Sequence, residues 1–289
     1  MNRASVVASV GLLLHPFTGF PTSNAQPPTS AAIAVRVQPA SATVRQLTYA
    51  QADGSRNAAT LVTPAAAARA PHPAILYLHW YEPPRPTSNR TEFLAEAVDL
   101  AGSGVVSLLI DTPWTAEGWF QKRDAARDYA FTQETALNVR RALDVLLAQP
   151  GIDRARVAIV GHDFGAMWGA LAASQDPRVT HLVFMAGSPS FADWYLFTPK
   201  RDGPEKEAFV AKLAPLAPRK AIERFLPKPV LLQFGTRDKF IGNDDAKAMG
   251  DALAGPHTTF KTYDFEHELT YQARVDRVAW LRQQFTLPR

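Results

Sequence analysis

The chain has 289 residues, 46% of them apolar, and a formal net charge of +4, enough for one large α/β domain with its own core. It contains no cysteine, which excludes a thiol nucleophile, a thiolate-held metal and a disulfide. Its Lys and Arg residues are scattered, with no basic block interleaved with aromatics, so nothing marks a nucleic-acid groove.

Residues 1–25 stand apart. Asn2 and Arg3 form a short basic segment, 4–14 is an uncharged apolar run, and Ser23-Asn24-Ala25 has the small residues of a cleavage site. This order predicts a secretory signal peptide over 1–25 and a periplasmic or secreted mature protein. His15, Pro16 and Gly19 break the segment, and neither it nor any later stretch has the length of a membrane span. Residues 26–43, rich in Pro, Ala and Ser, read as a linker.

The domain proper is predicted over 44–289. Alternating segments at 44–49 and 59–63 flank Asp53-Gly54 and predict an antiparallel hairpin. An alanine loop at 65–70 follows. The apolar run 74–78 predicts a buried strand ending at His79-Trp80-Tyr81, 91–101 a helix, and 105–110 a second strand. A long helix is expected over 123–147, a strand over 157–160, a helix over 164–174 and a strand over 182–185. Strands at 230–234 and 260–265 alternate with helices at 243–253 and 271–285. The alternation predicts an α/β fold: a mostly parallel central sheet with helices on both faces. Residues 188–228 exceed an ordinary connection and are expected to form a small cap over the ligand crevice, with Trp194 and Tyr195 facing substrate.

At Gly161-His162-Asp163-Phe164-Gly165 an apolar strand runs directly into a helix. Such a turn holds its apex residue in strained backbone geometry and needs small neighbours where helix and strand cross. Gly161 and Gly165 supply the clearance, and Asp163 is the apex. His162 should point away, behind the turn. Asp238 follows the strand at 230–234 and His267 the strand at 260–265, so all three lie at one edge of the predicted sheet.

From residue 44 onward the chain resembles the α/β-hydrolase superfamily. The run Gln149-Pro150-Gly151-Ile152-Asp153-Arg154-Ala155-Arg156-Val157 before the turn resembles the dienelactone-hydrolase-like and prolyl-oligopeptidase-like branches, whereas the Gly-His-Asp turn resembles epoxide hydrolases and haloalkane dehalogenases. The resemblance implies Asp163 as nucleophile, Asp238 as acid and His267 as base, in that chain order. His79-Trp80-Tyr81 resembles the oxyanion loop, without the glycine that usually follows its histidine. The implied oxyanion donors are the N–H of Phe164 and that of Trp80 or Tyr81.

An aspartate attacking a carbonyl would give an anhydride, whereas attack on saturated carbon gives an alkyl ester that activated water can cleave. The leading expectation is therefore a hydrolase acting through an Asp163 ester, on an epoxide, with Tyr195 or Tyr81 protonating the alkoxide. The Phe164 side chain lacks the indole N–H that a halide would need beside the nucleophile. The alternatives are a dienelactone-hydrolase-like esterase or lactonase with Asp163 as base, and a non-catalytic hydrolase fold that binds a small apolar ligand. A small molecule is the expected partner. No cofactor motif and no metal-ligand spacing is present in the sequence.

Overall fold

The first two strands, β1 (Ala42–Ala50) and β2 (Arg56–Pro64), pair antiparallel as the expected hairpin. Asp53 and Gly54 make the turn between them: Gly54 takes φ +82°, and the Asp53 carboxylate accepts the Ser55 N–H at 2.9 Å. The computed structural model describes residues 42–65, 71–81 and 89–287, within one unit spanning Val37–Arg289. The signal-peptide pattern, nearly all of the linker and most of the alanine loop lie outside the described residues. Ala42 and Thr43, expected as linker, open β1.

The other strands are β3 (His72–Leu78), β4 (Val106–Ile110), β5 (Ile152–His162), β6 (His181–Met185), β7 (Val230–Gly235) and β8 (Thr258–Tyr263). The sheet order is β1-β2-β4-β3-β5-β6-β7-β8, with β4 through β8 parallel and β2 antiparallel to β4. Successive side chains of a strand point to opposite faces, and here each face meets its own core. Leu76, Leu78 and Ile159 join the core covered by α3 (Asp128–Leu147) and α4 (Phe164–Gln175), whereas Ile75, Tyr77 and Val160 join the core under α1 (Leu94–Ala101) and α9 (Tyr271–Gln284). Double coverage explains why the central strands read as unbroken apolar runs.

The helix expected over 123–147 is interrupted. A short helix, α2 (Trp119–Lys122), precedes an extended Arg123, and a 3-10 turn (Ala125–Arg127) leads into α3. Asp124 stops the helix by accepting the Ala126 N–H at 3.0 Å. Residues 188–228 form α5 (Phe191–Tyr195), α6 (Gly203–Leu213) and α7 (Pro218–Phe225). Of these, α7 buries Ala221, Ile222 and Phe225 in the core shared with α4, while α5 carries Trp194 onto the ring of Phe164. The helix α8 (Asn243–Ala252) links β7 to β8. No helix among the described residues is long and apolar enough to cross a membrane.

Candidate active site

The site begins with backbone strain. Asp163, between β5 and α4, has φ +52° and ψ −118°, a region a non-glycine residue enters only when its surroundings force it. Two glycines make the crossing possible. A Cβ on Gly161 would lie 2.3 Å from the Gly165 carbonyl oxygen, and one on Gly165 would lie 2.2 Å from that of Leu78. The Asp163 N–H stays on the sheet, donating to Met185 O at 2.8 Å. The turn thus lifts a buried carboxylate, 2% exposed, to the sheet edge beside the start of α4.

Asp238 and His267 meet it there. The loop after β8 carries His267, whose Nδ1–H donates to Asp238 Oδ2 at 2.7 Å. Asp238 Oδ1 accepts the N–H groups of Phe240 and Ile241 at 2.8 and 3.0 Å. The other ring nitrogen, Nε2, lies 3.7 Å from Asp163 Oδ1, a charge contact too long for a hydrogen bond. Burial disfavours the imidazolium, but the two flanking carboxylates outweigh burial and raise the His267 pKa to about 10. Burial likewise works against the Asp238 carboxylate, and His267 with the two amides outweighs it, holding that group below the ordinary aspartate range.

The two oxygens of Asp163 are not equivalent. Oδ2 accepts the Tyr81 N–H at 3.1 Å. Oδ1 is buried and has no hydrogen-bond partner among the described residues. Phe164, the first residue of α4, has an N–H without an intrahelical carbonyl to bond. Of the two alternatives for the donor after β3, Tyr81 faces the carboxylate. Trp80 does not: its N–H donates to Glu92 Oε2 at 3.0 Å, which corrects the expectation that either residue could serve.

Tyr195 also departs from expectation. Its ring is buried, and its hydroxyl shares a hydrogen bond of 2.9 Å with Thr132 Oγ1 on α3. Burial pushes the phenol well above the ordinary tyrosine range. It is a packing residue, turned from the carboxylate. Trp194 is turned toward it: the indole meets Phe164 edge-on at 5.1 Å and Phe240 at 5.9 Å, and Phe240 lies 5.1 Å from His267. Tyr81 stacks on Phe164 at 5.4 Å, and Trp119 closes on the same ring at 5.7 Å. The surroundings of the carboxylate are aromatic and apolar.

His162 lies behind the turn, as expected. Its Nδ1 meets Glu92 Oε1 at 2.7 Å, and its Nε2–H donates to the His267 carbonyl at 2.9 Å. No sequence signal marks Glu92, which is 70 residues from its partner. Among the described residues no group of His, Asp or Glu could hold a metal ion.

No family model matches the chain, and no curated protein matches it in sequence. Solved structures do match. Acetyl xylan esterase from Paenibacillus sp. R4 is similar with a TM-score of 0.70 at 17% identity, over 84% of each chain. Acetyl xylan esterase 1 from Thermoanaerobacterium sp. JW/SL YS485 gives 0.63 at 16%, over 84% of this chain and 83% of that one. Pyrococcus horikoshii acylaminoacyl peptidase gives 0.66 at 15%, over 86% of this chain and 42% of that one. With the sheet order and the strained turn, these likenesses define the architecture: the chain has the α/β-hydrolase fold.

Proposed function

We propose that the chain is a hydrolase in which the Asp163 carboxylate attacks an electrophilic saturated carbon, an epoxide carbon, and water then cleaves the resulting ester. The observation that carries this reading is the division of labour within the carboxylate. Oδ2 already occupies the Tyr81 donor, where oxyanion charge would develop on the Asp163 carbonyl during ester cleavage. Oδ1 is left without a partner beside His267. With Tyr195 committed to Thr132, the acid for the alkoxide is the His267 imidazolium. Oδ1 forms the C–O bond, the epoxide C–O bond breaks, and the Nε2 proton passes to the alkoxide. The ester removes the Asp163 charge that helped hold that proton. Neutral His267 then takes a proton from water, hydroxide adds to the Asp163 carbonyl, and release of the diol restores carboxylate and imidazolium. The apolar ring wall favours a neutral, apolar substrate, and the basic-then-apolar pattern of 1–25 supports export.

A second reading has its own support in the similarity to esterases. There Oδ1 holds a water molecule and directs it at a small ester or lactone, with Asp163 as base. A single turnover in heavy-oxygen water separates the two. The covalent route leaves the label on the Asp163 peptide and little in the product. Label in the product at the first turnover, with an unlabelled peptide, overturns it in favour of the base.

A further inference from the structure

Resting on that reading, we propose that Glu92 is a positioning residue that fixes the oxyanion donor and the catalytic histidine at once. Its two oxygens serve two different loops. Oε2 accepts the Trp80 N–H, which fixes the peptide unit next to Tyr81, the residue whose N–H holds Asp163 Oδ2. Oε1 meets His162 Nδ1, and the far nitrogen of that ring holds the main-chain carbonyl of His267 itself. A carbonyl can only accept, so Nε2 carries a hydrogen, and one proton is shared between Nδ1 and Oε1. A single side chain thus ties the loop after β3 to the loop after β8, with His162 as the strut.

Ring packing makes the strut stiff. The Trp80 indole lies flat on His162 at 5.2 Å and 2°, and His162 lies against His267 at 5.4 Å and 29°. Trp80 itself approaches His267 at 6.0 Å. The stack holds the imidazole from behind while Asp238 holds it by Nδ1. Neither Glu92 nor His162 touches the free Oδ1, so the role is geometric. The Glu92 side chain is only 20% exposed, which limits competition from water.

The geometry predicts which replacements are tolerated. In Glu92→Gln the amide oxygen still accepts the Trp80 N–H, and the amide N–H donates to Nδ1 of a neutral His162 whose Nε2–H still holds the His267 carbonyl. In Glu92→Ala both ties are lost. Displacement of catalytic groups by about 1 Å costs on the order of a hundred-fold in rate, so Glu92→Ala should lose about that much kcat with KM unchanged, and Glu92→Gln should recover most of it. His162→Phe keeps the ring stack but removes both N–H groups. It should match Glu92→Ala, and the double variant should be no worse than either single one, because the pair acts as one unit. It also keeps the test open should Glu92→Ala fail to fold.

A readout that needs no substrate separates this proposal from the proposed reaction. The proton between His267 and Asp238 should give a far-downfield NMR signal. We expect it sharp in the native protein and in Glu92→Gln, and broadened or lost in Glu92→Ala and His162→Phe. Turnover of neither epoxides nor esters would sink the hydrolase reading while leaving this signal to report on the strut. A signal unchanged in Glu92→Ala, equal losses in the Gln and Ala variants, or additive effects in the double variant would each overturn the positioning role.

Discussion

At the scale of single residues, His267 decides which chemistry is available. Two carboxylates hold its proton up to a pKa of about 10, so the resting ring is an acid throughout the neutral range. In the covalent route that proton is consumed when the ester forms. Single-turnover ester formation with an epoxide should therefore be flat across neutral pH and fall as pH rises through about 10. Rapid-quench mass spectrometry of the Asp163 adduct measures it. A base acting before any ester forms predicts the opposite slope, so a rate climbing toward pH 10 would refute the acid role. Once Asp163 is esterified, burial and Asp238 alone govern His267, and its proton is more easily lost. Ester cleavage then proceeds at neutral pH. The Asp163, Asp238 and His267 trio was legible in the sequence because Asp163 and Asp238 each follow an apolar run that can only be a core strand, His267 follows the mixed strand at the sheet's end, and parallel strands bring such ends to one edge. Glu92 was not, because its role exists only through contacts made across the fold.

At the scale of elements, the short helix α5 explains why one of two adjacent aromatic residues reaches the site and the other does not. Neighbouring positions on a helix face different directions. With Trp194 against Phe164, Tyr195 is turned into α3, where Thr132 receives its hydroxyl. The sequence presents both as a pair, and only the helical geometry separates them. Tyr195→Phe should leave kcat and KM for any substrate unchanged and cost about 1 kcal/mol of stability through the lost hydrogen bond. Steady-state kinetics and urea denaturation test the two halves, and a fall in kcat would restore the phenol as acid. The break before α3 escaped the sequence for a related reason. Residues 123–127 have no proline or glycine to stop a helix. Arg123 is held out of it by the nearby Phe120 carbonyl and Asp128 carboxylate and by the Tyr195 carbonyl, 72 residues away. The hairpin, the central strands and the glycine-flanked turn depend on local period and clearance, and these were read directly.

At the scale of the whole molecule, the face of the sheet away from α3 and α4 is tied together by charge. Arg277 on α9 and Glu96 on α1 form a pair whose side chains are 5% and 2% exposed. The Tyr77 hydroxyl donates to Glu96 at 3.2 Å, and Arg277 donates to Gln233 at 3.1 Å. Removing one partner leaves the other charge buried and alone, at about 3–5 kcal/mol. Arg277→Met should thus lower the unfolding free energy by that amount, read as a lower urea midpoint with the slope unchanged, and adding Glu96→Leu should return much of the loss. A midpoint unmoved in Arg277→Met would show that the pair is solvated. The turn at Asp163 is constrained differently, by backbone atoms that leave no room for a Cβ at Gly161 or Gly165. Mutation cannot relax those contacts without moving β3, β5 and α4 together. The placement of Asp163 beside His267 is therefore held in trust by two residues that touch neither: a methyl group added at Gly161 or Gly165 would push the apex away from its partners while leaving all three side chains intact.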